Sequence, residues 1–172
     1  DAAKGLVSEA QRRFYGDVMQ TRVTGRAFIP QNRNTLVVAN HASHLDMGLV
    51  WYALGAYGED LVALAASDYF FEKNPVQRAV LENFTNLAPL DRHAGLKESL
   101  REVGKLLEAG KTVLIFPEGT RSPDGQIREF KGAVGHLSLK HDIDILPVFL
   151  GGVHEAMPKG SRLPRSRNLQ AK

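Results

Sequence analysis

Apolar residues along this chain follow two alternating patterns. In the first they form continuous runs of four to eight residues, which is typical of strands buried on both faces of a sheet. In the second they recur every three or four positions, which is typical of a helix with one buried face. The continuous runs predict strands at 35–39, 61–66, 86–92, 112–116 and 143–150, with a short strand at 22–25. The second pattern predicts helices at 3–19, 75–84, 96–107 and 132–140, and a further helix from Ser43 or His44 to Gly55.

The alternation of strands and helices predicts the fold class. It favours an α/β fold with a largely parallel central sheet flanked by helices, built as a single domain over residues 1–172. We expect the core to span about 21–155 and the segment 156–172 to be a basic tail, frayed from residue 163 onward. Ser43 is a candidate N-cap for the helix that follows it, with Asp46 in the first helical turn.

Composition excludes several classes of protein. Of the 172 residues, 43% are hydrophobic and 24% are charged, as in ordinary globular proteins. The chain contains no cysteine, so a disulfide framework and a thiolate metal site are excluded. No apolar run approaches the roughly 20 residues of a membrane-spanning helix. Since the chain starts at Asp1, we expect it to be processed or cut from a longer protein.

Positive charge is concentrated at the end of the chain. The net charge is +3, and no acidic residue follows Glu155. Such a segment either only aids solubility or attracts anionic lipid head groups, to which each Lys or Arg contributes about 1 kcal/mol. Nucleic acid is not an expected partner, because no aromatic residues interleave with the basic ones. The basic residues of this segment are Lys159, Arg162, Arg165, Arg167 and Lys172.

Three predicted strands end in polar clusters, at 41–46, at 91–92 and at 118–121. Ligands of open α/β sheets bind beyond the carboxyl ends of the strands, so the three clusters are expected to converge on one crevice. In the first cluster, His41 is a candidate base and Asp46 can orient its imidazole. Five residues of continuous helix would turn these side chains about 140° apart, so a loop must separate His41 from the helix that holds Asp46.

Other interpretations of the first cluster stay open at this point. His41 and Asp46 can form a purely structural pair. Together with His44 they are possible metal ligands, although no further His or acidic cluster has metal-site spacing, and no metal is predicted. A hydrolase that uses Ser43 lacks the Gly-x-Ser-x-Gly nucleophile turn. In the third cluster, the glycine turn and guanidinium of Glu118-Gly119-Thr120-Arg121 suit an anion such as phosphate, or form an ordinary surface turn.

The motifs together resemble those of the glycerolipid acyltransferase family, which includes 1-acyl-glycerol-3-phosphate acyltransferases. Residues 40–46 (Asn-His-Ala-Ser-His-Leu-Asp) resemble its His-x4-Asp motif, and 116–122 (Phe-Pro-Glu-Gly-Thr-Arg-Ser) match its second hallmark without departure. Leu90-Asp91-Arg92 resembles the block that ends in Asp-Arg, and Ile145-Leu146-Pro147-Val148 resembles the fourth block. The motifs occur in the family's order over about 35–152.

The resemblance implies an O-acyltransferase. Its acceptor would be a lysophospholipid, in the first place 1-acyl-glycerol-3-phosphate, and its donor acyl-CoA or an acyl carrier protein, with no cofactor. His41 would be the general base, and Asp46 would orient and charge-balance it. Pro147 would shape the acyl-donor side. The acceptor's glycerol phosphate would be bound by Arg92, Glu118, Gly119, Thr120 and Arg121.

The resemblance also implies a setting for the enzyme. We expect peripheral attachment to the cytoplasmic face of a membrane. Residues 152–160 resemble a stretch of family members that are fused to acyl-activating enzymes, so a covalently fused acyl-activating domain is a further expected partner. Two other functions remain alternatives: a catalytically silent lipid-binding module, and a thioester or lipid hydrolase that uses water as the acceptor.

Overall fold

The structure is a computed structural model that describes residues 2–66, 87–90, 95–161, 163–165 and 168–172. Its helices are α1 (Ala2–Arg13), α2 (Asp46–Leu54), α3 (Gly95–Glu108), α4 (Ala133–His141) and α5 (Val153–Ala156). A π-helical turn, Phe14–Val18, continues α1, and 3-10 turns lie at Arg26–Phe28 and Gly55–Asp60. The strands are β1 (Arg22–Val23), β2 (Leu36–Ala39), β3 (Leu61–Ala66), β4 (Leu87–Leu90), β5 (Thr112–Ile115), β6 (Ile145–Val148), β7 (Leu150–Gly151) and β8 (Gln170–Ala171).

Five strands form a parallel sheet in the order β4-β3-β5-β2-β6. Strand β2 lies between β5 and β6, with Val38 in register with Ile115 on one side and with Pro147 on the other. The carboxyl ends of all five strands therefore lie at one edge of the sheet. The predicted α/β fold with a largely parallel sheet is confirmed. The predicted helix 75–84 lies outside the described residues.

Both faces of β2 are buried, as its uninterrupted apolar sequence predicts. Successive side chains of a strand point to opposite faces. Val37 and Ala39 accordingly pack in a core cluster with residues of α2, whereas Leu36 and Val38 pack with residues of α3 and α4. Helices thus cover the sheet on both sides. The strand that leads to His41 is held by packing on both of its faces.

The π-helical turn that follows the first helix packs on the core. Tyr15 and Met19 are buried and belong to the same core cluster as α2. The amide of Met19 donates to the carbonyl of Phe14 at 2.9 Å, which is the wider π-helical bond. The core therefore begins before residue 21, earlier than the sequence predicts.

The end of the chain is also part of the fold, so the prediction of a frayed tail is wrong. Strand β8 pairs in parallel with β1 and antiparallel with β7, forming a second, three-stranded sheet. Leu169 and Ala171 are buried in the core cluster that contains α2. Two apolar residues, one within β8 and one just before it, are too weak a pattern to predict this strand.

The predicted strand at 143–150 is divided in the structure. Strand β6 ends at Val148, and β7 begins at Leu150 and joins the second sheet. The amide of Phe149 donates to the carbonyl of Lys172 at 2.8 Å, so the chain changes partners at this residue. The apolar run is continuous because both pieces contribute to the core.

Candidate active site

His41 and Asp46 meet at the carboxyl end of β2, because residues 40–45 form a loop and α2 begins only at Asp46. The imidazole Nδ1 lies 2.8 Å from Asp46 Oδ2. The Asp46 side chain is fully buried, whereas 23% of the His41 side chain is exposed. The predicted arrangement, a loop that leads into the helix holding Asp46, is present.

Asp46 determines which nitrogen of His41 carries the proton. Its Oδ2 atom also accepts hydrogen bonds from the amides of Ala42 at 2.6 Å and Ser43 at 2.9 Å. Since Oδ2 acts as an acceptor toward two amides, we assign the hydrogen of the His41–Asp46 bond to Nδ1. The opposite nitrogen, Nε2, then has a free lone pair, which is the form that a general base requires. No described residue forms a hydrogen bond with Nε2.

The same contacts explain why Ser43 does not cap α2, contrary to the sequence-based expectation. Its hydroxyl accepts a hydrogen bond from the Leu45 amide at 3.1 Å and donates one to the carbonyl of Met157 at 2.8 Å. The carboxylate of Asp46 satisfies the loop amides instead. Ser43 is fully buried, so it holds the loop against the end of α5 and is not placed as a nucleophile.

The loop after β5 is joined directly to the His41 loop. Glu118 Oε1 accepts a hydrogen bond from the His41 amide at 2.7 Å, and the amide of Ser122 donates to the His41 carbonyl at 2.8 Å. The ring of Phe116 stacks on the imidazole, with centroids 4.1 Å apart and planes inclined by 16°. Adjacent parallel strands thus bring two motifs that are 70 residues apart in the sequence into contact.

The carboxylate of Glu118 accepts hydrogen bonds from the backbone, whereas the sequence predicts that it binds the acceptor. Its second oxygen, Oε2, accepts a hydrogen bond from the Arg128 amide at 2.9 Å, so each carboxylate oxygen already has a backbone donor. The side chain is buried, and a carboxylate repels phosphate. The geometry therefore gives Glu118 a positioning role for His41 and the following loop, and its negative charge does not favour direct contact with phosphate.

The remaining residues of this loop are placed as an anion site would require. Gly119 adopts a left-handed conformation with φ of +75° and is exposed, as is Thr120. Arg121 is half-buried, and its Nη1 atom is buried with no hydrogen-bond partner among the described residues. A buried, unsatisfied N–H group is costly, and an anionic ligand at this position would satisfy it.

One predicted site residue, Pro147, is not brought to this centre by the described contacts. Pro147 lies on β6, an edge strand, where the missing N–H of proline costs no ladder bond on the outer side. Its side chain is exposed. Arg92 lies outside the described residues; the strand before it, β4, is separated from β5 by β3.

Two residues that support the first motif, one inside it and one outside it, were not predicted. The side-chain amide of Asn40 pairs with both backbone groups of Leu150, at 2.9 Å and 2.7 Å, and so continues the sheet by one residue where β2 has ended. Tyr15 donates its hydroxyl to the carbonyl of Leu45 at 2.9 Å. Burial, and secondarily the charge of Asp46, raise the pKa of the Tyr15 phenol above its usual range, so the phenol stays protonated for this bond.

The described residues contain no group of three or more His, Cys, Asp or Glu side chains arranged to hold a metal ion. His44, the third candidate ligand, is exposed. The geometry of the His41–Asp46 pair matches that of a general base and its orienting carboxylate.

Comparison with known proteins decides the family. Residues 20–151 match the family model described as Acyltransferase. The chain belongs to the acyltransferase family. The described site lies entirely inside the matched segment, apart from Tyr15 and Met157.

Individual relatives agree with this family. The domain is 29% identical over 142 residues to the 1-acyl-sn-glycerol-3-phosphate acyltransferase of Cocos nucifera. The alignment covers 82% of this chain and 45% of that protein. It is 30% identical over 131 residues to a protein of the same name from Chlamydomonas reinhardtii. That alignment covers 76% of this chain and 38% of the relative. The chain thus spans less than half the length of these relatives.

One solved structure is similar over nearly the whole chain. It is the crystal structure of the 1-acyl-sn-glycerophosphate (LPA) acyltransferase PlsC from Thermotoga maritima. The TM-score is 0.77 at 29% identity, and the match covers 99% of this chain and 68% of that one.

Proposed function

We propose that this domain transfers a fatty acyl chain from a thioester, acyl-CoA or an acyl carrier protein, to the hydroxyl of a lysophospholipid in phospholipid synthesis. The acceptor proposed first is 1-acyl-glycerol-3-phosphate. The observation that carries the proposal is the His41–Asp46 pair, with Nε2 free, hydrogen-bonded through Glu118 to a loop that holds an unsatisfied Arg121 nitrogen. The relatives named above bear the name of this activity.

The site residues suffice for a direct transfer. An alcohol is a poor nucleophile at neutral pH, and a positioned base accelerates its attack by about 10²- to 10⁴-fold. His41 Nε2 takes the hydroxyl proton as the oxygen forms its bond to the acyl carbon. The carbon–sulfur bond then breaks, and the proton passes from His41 to the departing thiolate. The products are the ester and a free thiol. Buried Asp46 stabilises the imidazolium that exists between the two proton transfers.

An acyl-transfer assay tests the function directly. The protein is incubated with radiolabelled acyl-CoA and lysophosphatidate, and lipid products and free thiol are measured separately. Labelled phosphatidate formed in step with free thiol supports the proposal. Free thiol without lipid product indicates a hydrolase, and neither product indicates a silent lipid-binding module; either result contradicts acyl transfer.

Arg121 gives a prediction about the acceptor. We expect Arg121→Ala to raise the KM for lysophosphatidate by about 10- to 100-fold, because charge-assisted hydrogen bonds contribute about 1.5–3 kcal/mol. The KM for acyl-CoA should stay within about twofold. Arg22→Ala, at an exposed position on β1, is the control. Equal increases in both KM values for Arg121→Ala would contradict a role in acceptor binding.

We also propose that the domain works attached to the cytoplasmic face of a membrane. No described helix is long and apolar enough to cross a bilayer. Support for a peripheral contact comes from the loop between β5 and α4, where Ile127 and Phe130 are 51% and 52% exposed. Two exposed apolar side chains so close in the sequence suit insertion at a lipid surface. A fused acyl-activating domain is proposed on the resemblance of residues 152–160 alone.

Vesicle binding checks the membrane contact. We expect the double variant Ile127→Ser/Phe130→Ser to bind vesicles containing phosphatidylserine about tenfold more weakly than the unchanged protein, because it loses apolar area that would enter the lipid. Leu139→Ser removes an 88% exposed apolar side chain from α4 and serves as the matched control. Equal binding by the double variant and the unchanged protein, or an equal loss in the control, would contradict this contact.

A further inference from the structure

Lys131 lies at the site although neither motif contains it. It ends the loop that leaves β5 and precedes α4. Its amide donates to the carbonyl of Pro117 at 2.9 Å, so the loop returns to the place where it began. Lys131 is therefore held next to Glu118, the residue that binds the His41 amide.

The end of the Lys131 side chain lies across Gly119. A Cβ atom built on Gly119 would come within 2.6 Å of Lys131 Nζ, 3.0 Å of Cε and 3.4 Å of Cδ. A side chain at this position would displace the flexible end of Lys131, whereas the positive φ of Gly119 independently favours glycine. The glycine of the second motif thus admits an ammonium group to the loop that also holds Arg121.

The charge of Lys131 is uncompensated in the described part of the protein. Its ammonium forms no hydrogen bond or ion pair with any described residue. The neighbouring Arg128 instead pairs with Asp124 at 3.2 Å. Glu118 forms no ion pair with Lys131, and its two oxygens accept hydrogen bonds from backbone amides instead. An exposed ammonium that has no ion-pair partner among the described residues favours an anionic ligand.

We propose that Lys131 binds a phosphate group of a substrate, together with the unsatisfied guanidinium of Arg121. This inference rests on the proposed function and extends it to a residue outside the motifs. The phosphate is either the phosphomonoester of the acceptor or a phosphate of coenzyme A on the donor. Both are dianionic or polyanionic groups that an ammonium and a guanidinium recognise by charge and hydrogen bonds.

Kinetics of Lys131→Met tests the role, because methionine keeps the apolar stem and removes the charge. We expect the KM of one substrate to rise by about 10- to 100-fold with kcat within about threefold, since a charged hydrogen bond is lost. Lys131→Arg should restore much of the affinity. Lys140→Met, at an exposed position on α4, is the matched control.

Comparison with substrates that lack a phosphate group identifies which phosphate Lys131 binds. A raised KM for lysophosphatidate, with no change for monoacylglycerol, assigns the acceptor phosphate. A raised KM for acyl-CoA, with no change for acyl-pantetheine, assigns the donor phosphate. Unchanged KM values for both substrates would overturn the inference while leaving the proposed function intact.

Calorimetric titration without turnover separates this inference from the proposed function. Lysophosphatidate and acyl-CoA are each titrated into the unchanged protein and into Lys131→Met, after thermal unfolding has shown equal stability. Affinity lost in the variant supports the inference even if the unchanged protein transfers no acyl group. Equal affinity of the two proteins for both ligands overturns it, as does an unchanged protein that binds neither.

Discussion

The His41→Ala variant is expected to lose acyl transfer, with a rate about 10²- to 10⁴-fold below that of the unchanged protein, because the free Nε2 of His41 accepts the proton of the attacking hydroxyl. Its fold should persist. The side chain is part-exposed, and the buried Oδ2 of Asp46 keeps its two amide donors, Ala42 and Ser43. The measurements are steady-state transfer to lysophosphatidate and thermal unfolding by circular dichroism.

His44→Ala is the matched control for this experiment, since His44 lies in the same loop and is exposed. Its transfer rate should fall only a few-fold. Binding of lysophosphatidate by His41→Ala should also be near normal, because in the proposed site the loop after β5 holds the phosphate. Turnover near that of the unchanged protein in a folded His41→Ala variant would disprove the mechanism.

The second large effect is expected for Asp46→Asn, with a transfer rate about 10²- to 10⁴-fold lower. If the side-chain amide introduced by this substitution turns its NH2 group toward His41, Nδ1 must accept the hydrogen bond. The imidazole hydrogen then lies on Nε2, and Nε2 can no longer accept the proton of the hydroxyl. If the same amide turns its oxygen toward His41, the tautomer of the imidazole is kept. The negative charge that stabilises the imidazolium is still absent.

The measurement is kcat for transfer with both substrates saturating, alongside the thermal midpoint. Asp46 is fully buried and accepts three hydrogen bonds, so a modest loss of stability is expected as well. Asp60→Asn, on the exposed turn before β3, controls for removal of a carboxylate. A folded Asp46→Asn protein with an unchanged rate would show that orientation of His41 does not limit catalysis.

The contact between His41 and Asp46 could be predicted because the two residues lie close together in the sequence. The interval of five residues between His41 and Asp46 is compatible with contact only if a loop precedes the helix, and the structure has this loop. The parallel sheet was equally predictable, since uninterrupted apolar runs such as Leu36–Ala39 require burial on both faces. Adjacency of β2 and β5 then brings the second motif to the first.

The roles of individual residues in the second loop could not be predicted from the sequence. A carboxylate next to an arginine is compatible with substrate binding or with internal hydrogen bonds, and only the tertiary contacts of Glu118 with two amides decide between them. Lys131 is ten residues beyond Arg121, and nothing in its neighbourhood indicates that the chain returns to Pro117. Strand β8 was missed because its stability comes from β1 and β7, which are distant in sequence.

The contacts that shape the His41 loop impose an order on the assembly of the enzyme. Asn40 pairs with Leu150 across 110 residues of sequence, and Ser43 bonds to Met157 across 114. At about 5–20 residues per second of synthesis, the His41 loop would wait roughly 5–20 seconds for these partners. Contacts so distant in sequence also close slowly during refolding. The nascent chain therefore completes the contacts that hold the His41 loop only after all five strands of the parallel sheet have been made.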